Sequence, residues 1–338
     1  MPGPTYQNPI LDNDFPDPTI LRAADGWYYA YGTQTKRNSL IINIQVARSQ
    51  DLLTWQWLGE ALPHKPAWAN TTQRLWAPHV SEYAGRYYLY YSAQPDNTDG
   101  AAEHPEGLCL AVAVADAPAG PFVDSGRPLH CGPGFQSIDP MEFHDPATGQ
   151  HWLYWGSGFG PLKVRALAPG LLSFAPDSPE QVLVLPAPAG SPDAYQTLIE
   201  GSWVVFRHGW YYLFYSGNNC CGPHAHYAVM VARARHATGP FETLTQATGH
   251  PDSTILTGNE RWQAPGHNCI VTDSAGQDWI VYHAIDTQQP TFDAINDEQG
   301  YSRRVLLLDK VDYVQGWPHI TPDGTPTTTL QPGPRMAS

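Results

Sequence analysis

The segment GWYYAYGT, residues 26–33, is a β-rich aromatic run that begins with glycine, and the chain contains four more runs like it. These are GRYYLYYS (85–92), GQHWLYWGS (149–157), GWYYLFYS (209–216) and GQDWIVYHA (276–284). Their leading glycines are 59, 64, 60 and 67 residues apart. Self-similarity at a period of roughly 60 residues indicates an array of like structural units.

Each unit contains further short β-rich runs between turn residues. The first unit reads DPTILRA, GWYYAYGT, IINIQVARS and LTWQWLG, and the fourth unit repeats this order. Thirty glycines and 33 prolines interrupt the chain, which favours short strands over long helices. Four antiparallel strands in each of five units predict an all-β, five-bladed β-propeller. The alternative is a barrel in which five aromatic strands merely look alike.

The repeats assign residues 1–320 to a single propeller domain, and we expect the tail, 321–338, to be loosely ordered because it has few apolar residues. The first residues lack a basic segment followed by an apolar run, so we expect a cytoplasmic protein unless a signal has been removed. No apolar run of membrane-spanning length is present. The oligomeric state is left open.

The charge balance limits the possible partners. Acidic residues number 32 against 18 basic ones, for a net charge of −14. Nucleic acid and anionic membranes would be repelled by this charge, whereas a neutral sugar would not.

The five cysteines (Cys109, Cys131, Cys220, Cys221 and Cys269) show no zinc-site spacing, and their odd number implies no complete disulfide framework. Cys220 and Cys221 are adjacent, so they form either a strained bridge or a pair of reduced thiols, and we favour the second interpretation. His224 and His226 form an H-x-H pair without a visible third ligand, and we interpret them as loop residues.

One residue of chemical interest stands nine or ten positions before each leading glycine. These residues are Asp17, Trp76, Asp139, Glu200 and His267. Because the first strand of each propeller blade lines the central axis, we expect all five side chains to meet at one mouth of the channel. Taken singly, each has an ordinary structural explanation, as a turn acid, a core indole or a hydrogen-bonded imidazole. Three clustered acids are costly to bury, however, and perturbed carboxyl groups mark functional sites.

Paired acids among aromatic residues suggest cleavage of a glycosidic bond. One carboxyl group must then be protonated to donate to the leaving oxygen, and another must be ionised to activate water or attack the sugar. A third negative charge keeps the pKa of the acid high. We expect Trp76 to stack on the sugar, and Phe15, just before the first acid, to pack against the sugar ring.

Several segments together resemble glycoside hydrolase family 43, in order from about residue 7 to about residue 320. They are NPILDNDFPDPTILRA, LWAPHVSEYAGRYYLYYS, SIDPMEFHDPATGQHWLYWGS, IEGSWVVFRHGWYYLFYSG and APGHNCIVTDSAGQDWIVYHA. The related sucrose-cleaving families carry an Arg-Asp-Pro motif and a Glu-Cys acid, whereas this chain has Ile138-Asp139-Pro140 and Glu200-Gly201.

The resemblance implies an inverting mechanism with Asp17 as general base, Glu200 as general acid and Asp139 as the residue that raises the pKa of the acid. It also implies that Arg304, with neighbouring Arg303 as the competing choice, reaches the hydroxyl groups of the sugar. His267 would bind calcium or another cation over the channel, through its nitrogen and surrounding waters, with no organic cofactor. Calcium prefers oxygen ligands, so such a site would be modest.

The expected activity is therefore that of an exo-acting β-xylosidase or α-L-arabinofuranosidase on xylose- or arabinose-containing oligosaccharides. Two polar loops, 94–107 and 286–300, are predicted to wall the mouth into a pocket. The alternatives are an endo-1,5-α-L-arabinanase with an open groove, and a non-catalytic sugar-binding propeller.

Overall fold

Five antiparallel sheets surround one axis in the computed structural model, which describes residues 3–96, 107–191, 195–290, 303–320 and 322–336. The innermost strand of each sheet contacts the innermost strands of its two neighbours, and blade 5 closes on blade 1 in this way. The predicted all-β, five-bladed propeller is confirmed. The alternative barrel is excluded because the strands pair within five separate sheets.

The strands of each blade, from the axis outward, follow the chain order. Blade 1 consists of Thr19–Arg22, Tyr28–Gly32, Gln45–Ser49 and Gln56–Glu60. Blade 2 consists of Leu75–Tyr83, Arg86–Ala93, Cys109–Ala115 and Val123–Asp124, with His130–Cys131 beside the third strand. Blade 3 consists of Met141–His144, His151–Trp155, Leu162–Ala166 and Gln181–Val184.

Blade 4 consists of Ile199–Arg207, Trp210–Asn219, His226–Ala234 and Glu242–Thr243, with Thr254–Leu256 beside the third strand. Blade 5 consists of Trp262–Thr272, Asp278–Asp286, Arg304–Val314 and Trp317–Ile320. Outside the blades are a hairpin, Thr35–Arg37 with Leu40–Ile42, the pair Thr5–Tyr6 with Gln331–Pro332, the 3-10 turns Ala67–Ala69 and Tyr195–Thr197, and the helix Leu244–Thr248. Among the described residues, no helix is long and apolar enough to cross a membrane.

The five aromatic runs form the second strands, and both faces of these strands are buried. Tyr29 and Tyr31 pack in the apolar layer between blades 1 and 2, whereas Tyr28 and Ala30 pack in the layer between blades 1 and 5. Successive side chains of a strand point to opposite faces, so a strand between two layers is apolar throughout. The same arrangement in the other blades gives five layers, one at each interface.

The N-terminal segment lies along the third strand of blade 5 and closes the ring. The amide of Ile10 donates to the Leu306 carbonyl (2.9 Å), and the amide of Phe15 donates to the Arg304 carbonyl (2.8 Å). This attachment brings the segment that precedes blade 1 next to Arg304. Asp17 follows two residues later, so the closure of the ring also positions the first carboxyl group.

The C-terminal tail differs from the prediction. Gln331–Pro332 pairs antiparallel with Thr5–Tyr6, and the hydroxyl of Thr327 donates to the buried carboxylate of Asp309 (2.6 Å). The prediction of loose order is therefore wrong for the described residues, 322–336. Low apolar content was misleading because this segment attaches through hydrogen bonds rather than through an apolar face.

The cysteines divide into one disulfide and three thiols. Cys109 and Cys131 lie opposite each other on paired strands and are joined by a disulfide. Cys220, Cys221 and Cys269 are thiols, so the adjacent pair is reduced, as interpreted from the sequence.

Candidate active site

In each blade, one residue in the innermost strand or just before it has a left-handed backbone conformation, at the equivalent point near the mouth of the channel. These residues are Asp17 (φ 54°), Ala77 (φ 47°), Asp139 (φ 59°), Gly201 (φ 63°) and His267 (φ 48°). A non-glycine residue in this region costs roughly 1–3 kcal/mol and persists where surrounding contacts enforce it. Four of the five are not glycine, so the mouth is a place where the fold holds strained backbone.

The predicted register is right for Asp17, Asp139 and His267 and differs by one residue in two blades. Trp76 and Glu200 precede the left-handed residues of blades 2 and 4. The turns between the first and second strands explain this offset. They contain two residues in blades 2 and 4 but five or six in the other blades, so counting back nine residues from the glycine goes one residue too far in blades 2 and 4. All five predicted side chains nevertheless line one cavity of about 1240 Å³.

A ring of hydrogen bonds connects each blade to the next at this level. The side chains come from the ends of the five aromatic runs: Thr33, Ser92, Ser157, Ser216 and His283. The bonds are Ala77 N–H to Thr33 Oγ1 (2.8 Å), Asp139 N–H to Ser92 Oγ (3.0 Å), Ser157 hydroxyl to Glu200 Oε2 (2.6 Å), His267 N–H to Ser216 Oγ (2.8 Å) and Asp17 N–H to His283 Nδ1 (3.0 Å). Because the ring closes from blade 5 to blade 1, every blade contributes to the geometry of the mouth.

Asp17 is buried and held as a carboxylate. Burial is the largest single influence and raises the pKa of Asp17. The Arg304 guanidinium, 2.9 Å from Oδ1, and the smaller contributions of His267 and His283 together outweigh it, so the pKa lies well below the usual value. The Thr33 hydroxyl donates to the other carboxylate oxygen (2.5 Å). His283 adds less: its Nδ1 accepts the Asp17 amide hydrogen and has no proton to give to Oδ1, 3.3 Å away. Arg304 is therefore the main stabiliser of the ionised form.

Glu200 and Asp139 differ from Asp17, because their surroundings raise the pKa of each carboxyl group. Burial raises the pKa of Glu200, and the Ser157 and Tyr227 hydroxyls, which donate to its two oxygens (2.6 and 2.8 Å), only partly offset this. Burial and then the negative charge of Glu200 raise the pKa of Asp139 well above its usual value, although the Gly201 amide donates to it (3.1 Å). Two such carboxyl groups titrate as a pair, and their raised pKa values favour retention of one proton within the pair.

Tyr227 reaches Glu200 because blade 5 leaves room for its ring. A Cβ atom at Gly266 would lie 2.1 Å from the Tyr227 ring, so only glycine fits at that point of the APGHN segment. Neither Tyr227 nor the side chains of the hydrogen-bonded ring were predicted from the sequence. Tyr227 has no signal of its own, whereas the shared hydroxyl at the end of four aromatic runs is visible in the sequence.

Arg304, rather than Arg303, lies in the cavity beside Asp17. Arg303 points elsewhere and pairs with Asp12 and Gln289. The alternation of side chains along a strand explains why only one of the two neighbours faces the site.

The two predicted aromatic contacts have different outcomes. Trp76 is half-buried, lines the cavity and belongs to none of the apolar layers, so its indole is available at the surface of the site. Phe15 is 0% exposed and lies in the layer between blades 1 and 5, against Gly32. The prediction that Phe15 packs against the sugar ring is therefore wrong, because its side chain points into the core.

His267 lies among the acids, with Nδ1 3.5 Å from Asp17 Oδ1 and 3.9 Å from Asp139 Oδ2. Within the described ranges, no group of three or more His, Cys, Asp or Glu side chains is arranged to hold a metal. One imidazole nitrogen facing two carboxylates is a poor match to the oxygen-rich shell of calcium. We assign no chemical step to a cation, and the calcium site stays a prediction.

The predicted loops contribute only in part to the described cavity. Gln94, Pro95, Asp96 and Gly107 line it, but residues 97–106 lie outside the described part of the chain. The same holds for residues 291–300 of the second loop, so the predicted walls are untested there.

A five-bladed propeller that gathers three buried carboxyl groups of unlike pKa at one mouth defines a glycoside-hydrolysing site. The comparison with known families agrees with this class: residues 6–318 match the model of glycosyl hydrolases family 43. The chain belongs to this family and is a glycoside hydrolase.

Two curated relatives and one solved structure illustrate the similarity. The extracellular exo-α-(1→5)-L-arabinofuranosidase ArbA of Cellvibrio japonicus is 27% identical over 91% of this chain and 86% of its own length. The extracellular endo-α-(1→5)-L-arabinanase 1 of Bacillus subtilis is 25% identical over 89% and 86%. An α-L-arabinanase of Cellvibrio cellulosa complexed with arabinohexaose superposes with a TM-score of 0.72 over 91% of this chain and 95% of that one; at 24% identity it shows the shared fold alone.

Proposed function

We propose that the protein is an inverting exo-glycosidase that removes terminal α-L-arabinofuranose, and with the same residues terminal β-D-xylose, from short oligosaccharides. The observation that carries the proposal is the contrast among the three buried acids. Arg304, 2.9 Å from Asp17, favours a low pKa there, whereas burial raises the pKa values of Glu200 and Asp139. Arabinose comes first because both curated relatives are named for α-(1→5)-L-arabinose linkages. Xylopyranose presents a similar set of hydroxyl groups.

In this mechanism, Asp17 takes a proton from a water molecule as the water attacks the anomeric carbon. Its low pKa, maintained by Arg304 at 2.9 Å, keeps it ready to accept that proton at neutral pH. Inversion requires room for the water, which corresponds to carboxyl groups about 6.5–9.5 Å apart. Arg304 is also close enough to Asp17 to contact the hydroxyl groups of a sugar bound beside the base.

Glu200 donates its proton to the leaving oxygen while the glycosidic bond breaks. Ser157 and Tyr227 fix the direction of this carboxyl group, one at each oxygen. Asp139 keeps the proton shared within the pair, and Trp76 offers its indole as a platform for the sugar. After the reaction, Asp17 loses its proton to solvent and Glu200 takes one up, which restores the starting protonation states.

Endo-acting cleavage of arabinan is the second candidate. It is favoured by the cavity of about 1240 Å³, which exceeds the roughly 300–1,000 Å³ of ordinary small-molecule pockets, and by the endo-acting relative from Bacillus subtilis. Exo action is proposed first because the exo-acting relative matches slightly more of the chain at slightly higher identity.

The products of four substrates test this proposal: α-(1→5)-arabinobiose, linear arabinan, xylobiose and an aryl arabinofuranoside. We expect free arabinose as the first product from arabinan and inverted configuration in the first-formed sugar, measured by chromatography and by NMR. Early arabino-oligomers would identify an endo-enzyme, and faster release from xylobiose would identify a xylosidase. If the protein bound these substrates without cleaving any of them, it would be a non-catalytic sugar-binding propeller. Chelation followed by addition of calcium tests the cation prediction separately.

Ser157→Ala is expected to move the basic limb of the kcat/KM pH profile to higher pH. The Ser157 hydroxyl lowers the pKa of Glu200, so its loss raises that pKa and Glu200 stays protonated to higher pH. Ser157→Thr retains a hydroxyl group, so its basic limb is expected to lie at the same pH as that of the unmodified protein. Ser92→Ala is the matched control, because Ser92 occupies the same ring position but accepts only from the Asp139 amide. An unchanged or downward-shifted limb in Ser157→Ala would show that the hydroxyl does not tune the acid.

A further inference from the structure

The turn between the second and third strands of blade 4 brings two adjacent thiols to the wall of the catalytic cavity. Cys220 and Cys221 line the same cavity as Asp17, Glu200 and Arg304. Both residues are half-buried, and neither takes part in the proposed hydrolysis. Cys269, by contrast, is fully buried in the layer between blades 1 and 5. A small reagent that enters the cavity therefore meets the adjacent pair and not the third thiol.

We propose that Cys220 and Cys221 form a modification site at which a low-molecular-weight disulfide, such as glutathione disulfide, closes a vicinal disulfide and thereby lowers hydrolysis. The Cys221 thiolate attacks one sulfur of the reagent, forms a mixed disulfide and expels one thiol. Cys220 loses its proton and attacks the Cys221 sulfur, which expels the second thiol. The protein dithiol is oxidised, the reagent is reduced to two thiols, and the two protein protons leave with them.

The local environment favours Cys221 as the attacking group. The hydrogen bond with Cys220 lowers the pKa of Cys221 to about 7, against the effect of burial, and the nearby Arg304 cation acts in the same direction. A thiol with a pKa near the ambient pH is the most effective one for exchange. Cys220 has its pKa raised by the same hydrogen bond, so it serves as the second, resolving thiol.

Formation of the Cys220–Cys221 disulfide should disturb Glu200 through Tyr227. Bridged cysteines usually have Cα atoms 4.4–6.8 Å apart, whereas neighbours across a trans peptide are about 3.8 Å apart, so the turn must distort. Cys220 packs against a small cluster that contains Tyr227, and the Tyr227 hydroxyl donates to Glu200 Oε1 (2.8 Å). A displacement of about 1 Å at a catalytic group costs on the order of a hundredfold in rate. The same strain makes the bond easy to reduce.

The test treats the purified full-length protein with glutathione disulfide at neutral pH. We expect the peptide that holds both cysteines to lose two hydrogens in mass spectrometry, kcat/KM to fall by about ten- to a hundredfold, and dithiothreitol to restore both. Cys221→Ser should not form the bridge, and Cys220→Ser should stop at the mixed disulfide. Cys269→Ser is the control and should respond as the unmodified chain does.

Three results would overturn the proposal: an unchanged mass, a mixed disulfide that persists in the unmodified chain, or a closed bridge with unchanged kcat/KM. If a serine variant fails to fold, the order in which the cysteines of the folded, unmodified chain are alkylated provides the test. The proposal requires Cys221 to react first and Cys269 last. The mass and alkylation measurements need no glycoside. A failure of the proposed hydrolytic activity is therefore distinguishable from a failure at the thiol site.

Discussion

Asp17→Asn is expected to lower kcat/KM by about 10²–10⁴-fold on every glycoside that the protein cleaves. Asparagine is nearly the same size as aspartate but cannot accept a proton from the attacking water. The loss should not depend on the leaving group, because activation of water precedes or accompanies bond cleavage for good and poor leaving groups alike. The measurement compares an aryl arabinofuranoside with an arabino-oligosaccharide under identical conditions.

Asp14→Asn is the matched control for this variant. Asp14 is also a buried carboxyl group that lines the cavity, and its partners are the Thr35 hydroxyl (2.7 Å) and the Arg304 amide (3.2 Å). It has no part in the proposed proton transfers, so its substitution should cost less than about tenfold. If Asp14→Asn were the more damaging change, or if Asp17→Asn kept its activity on either substrate, Asp17 would not be the base.

The pH dependence of the unmodified protein follows from the same assignments. Protonation of Asp17 produces the acidic limb of kcat/KM, and its lowered pKa places that limb below the usual range of a carboxyl group. Loss of the proton from the pair of Glu200 and Asp139 produces the basic limb, and their raised pKa values move that limb upward. Separation of the limbs in both directions gives a broad range of pH in which Asp17 is ionised and the acid is protonated.

The repeat in the sequence was sufficient to predict the architecture because both faces of each second strand are buried. An aromatic-rich run without charged residues, such as residues 26–33, is the consequence of two apolar layers, and five similar runs specify five blades. The same repeat placed the acids at one mouth. It missed by one residue in blades 2 and 4, because the turn between their first and second strands has only two residues and the strand glycine does not reveal the length of the turn.

The remaining parts of the site depend on contacts between blades that no local pattern encodes. Tyr227 comes from a third strand and reaches Glu200 across the space that Gly266 leaves open. Phe15 was predicted from its position two residues before Asp17, yet its side chain is buried in the layer between blades 1 and 5. Position in sequence thus identified the acids, and the direction of each neighbouring side chain was decided by tertiary packing.

Glu200→Ala is expected to separate substrates by the quality of their leaving group. With an oligosaccharide, whose leaving alkoxide needs a proton, the loss should be about 10²–10⁴-fold. With a dinitrophenyl glycoside, whose leaving group departs without protonation, most of the activity should remain, and the basic limb of the pH profile should disappear. The contrast arises because alanine removes the carboxyl group that Ser157 and Tyr227 hold at the cavity, so no proton is delivered to the leaving oxygen.

The leaving-group series distinguishes Glu200 from its coupled neighbour. Asp139→Asn removes a negative charge that holds the shared proton in the site, so Glu200 loses its proton at lower pH and the basic limb should move down. The kcat/KM of Asp139→Asn should depend less on the leaving group than that of Glu200→Ala, because the proton donor Glu200 is still present. If Asp139→Asn gave the steeper dependence on the leaving group, the proton donor would be Asp139, and Glu200 would be the group that modulates it.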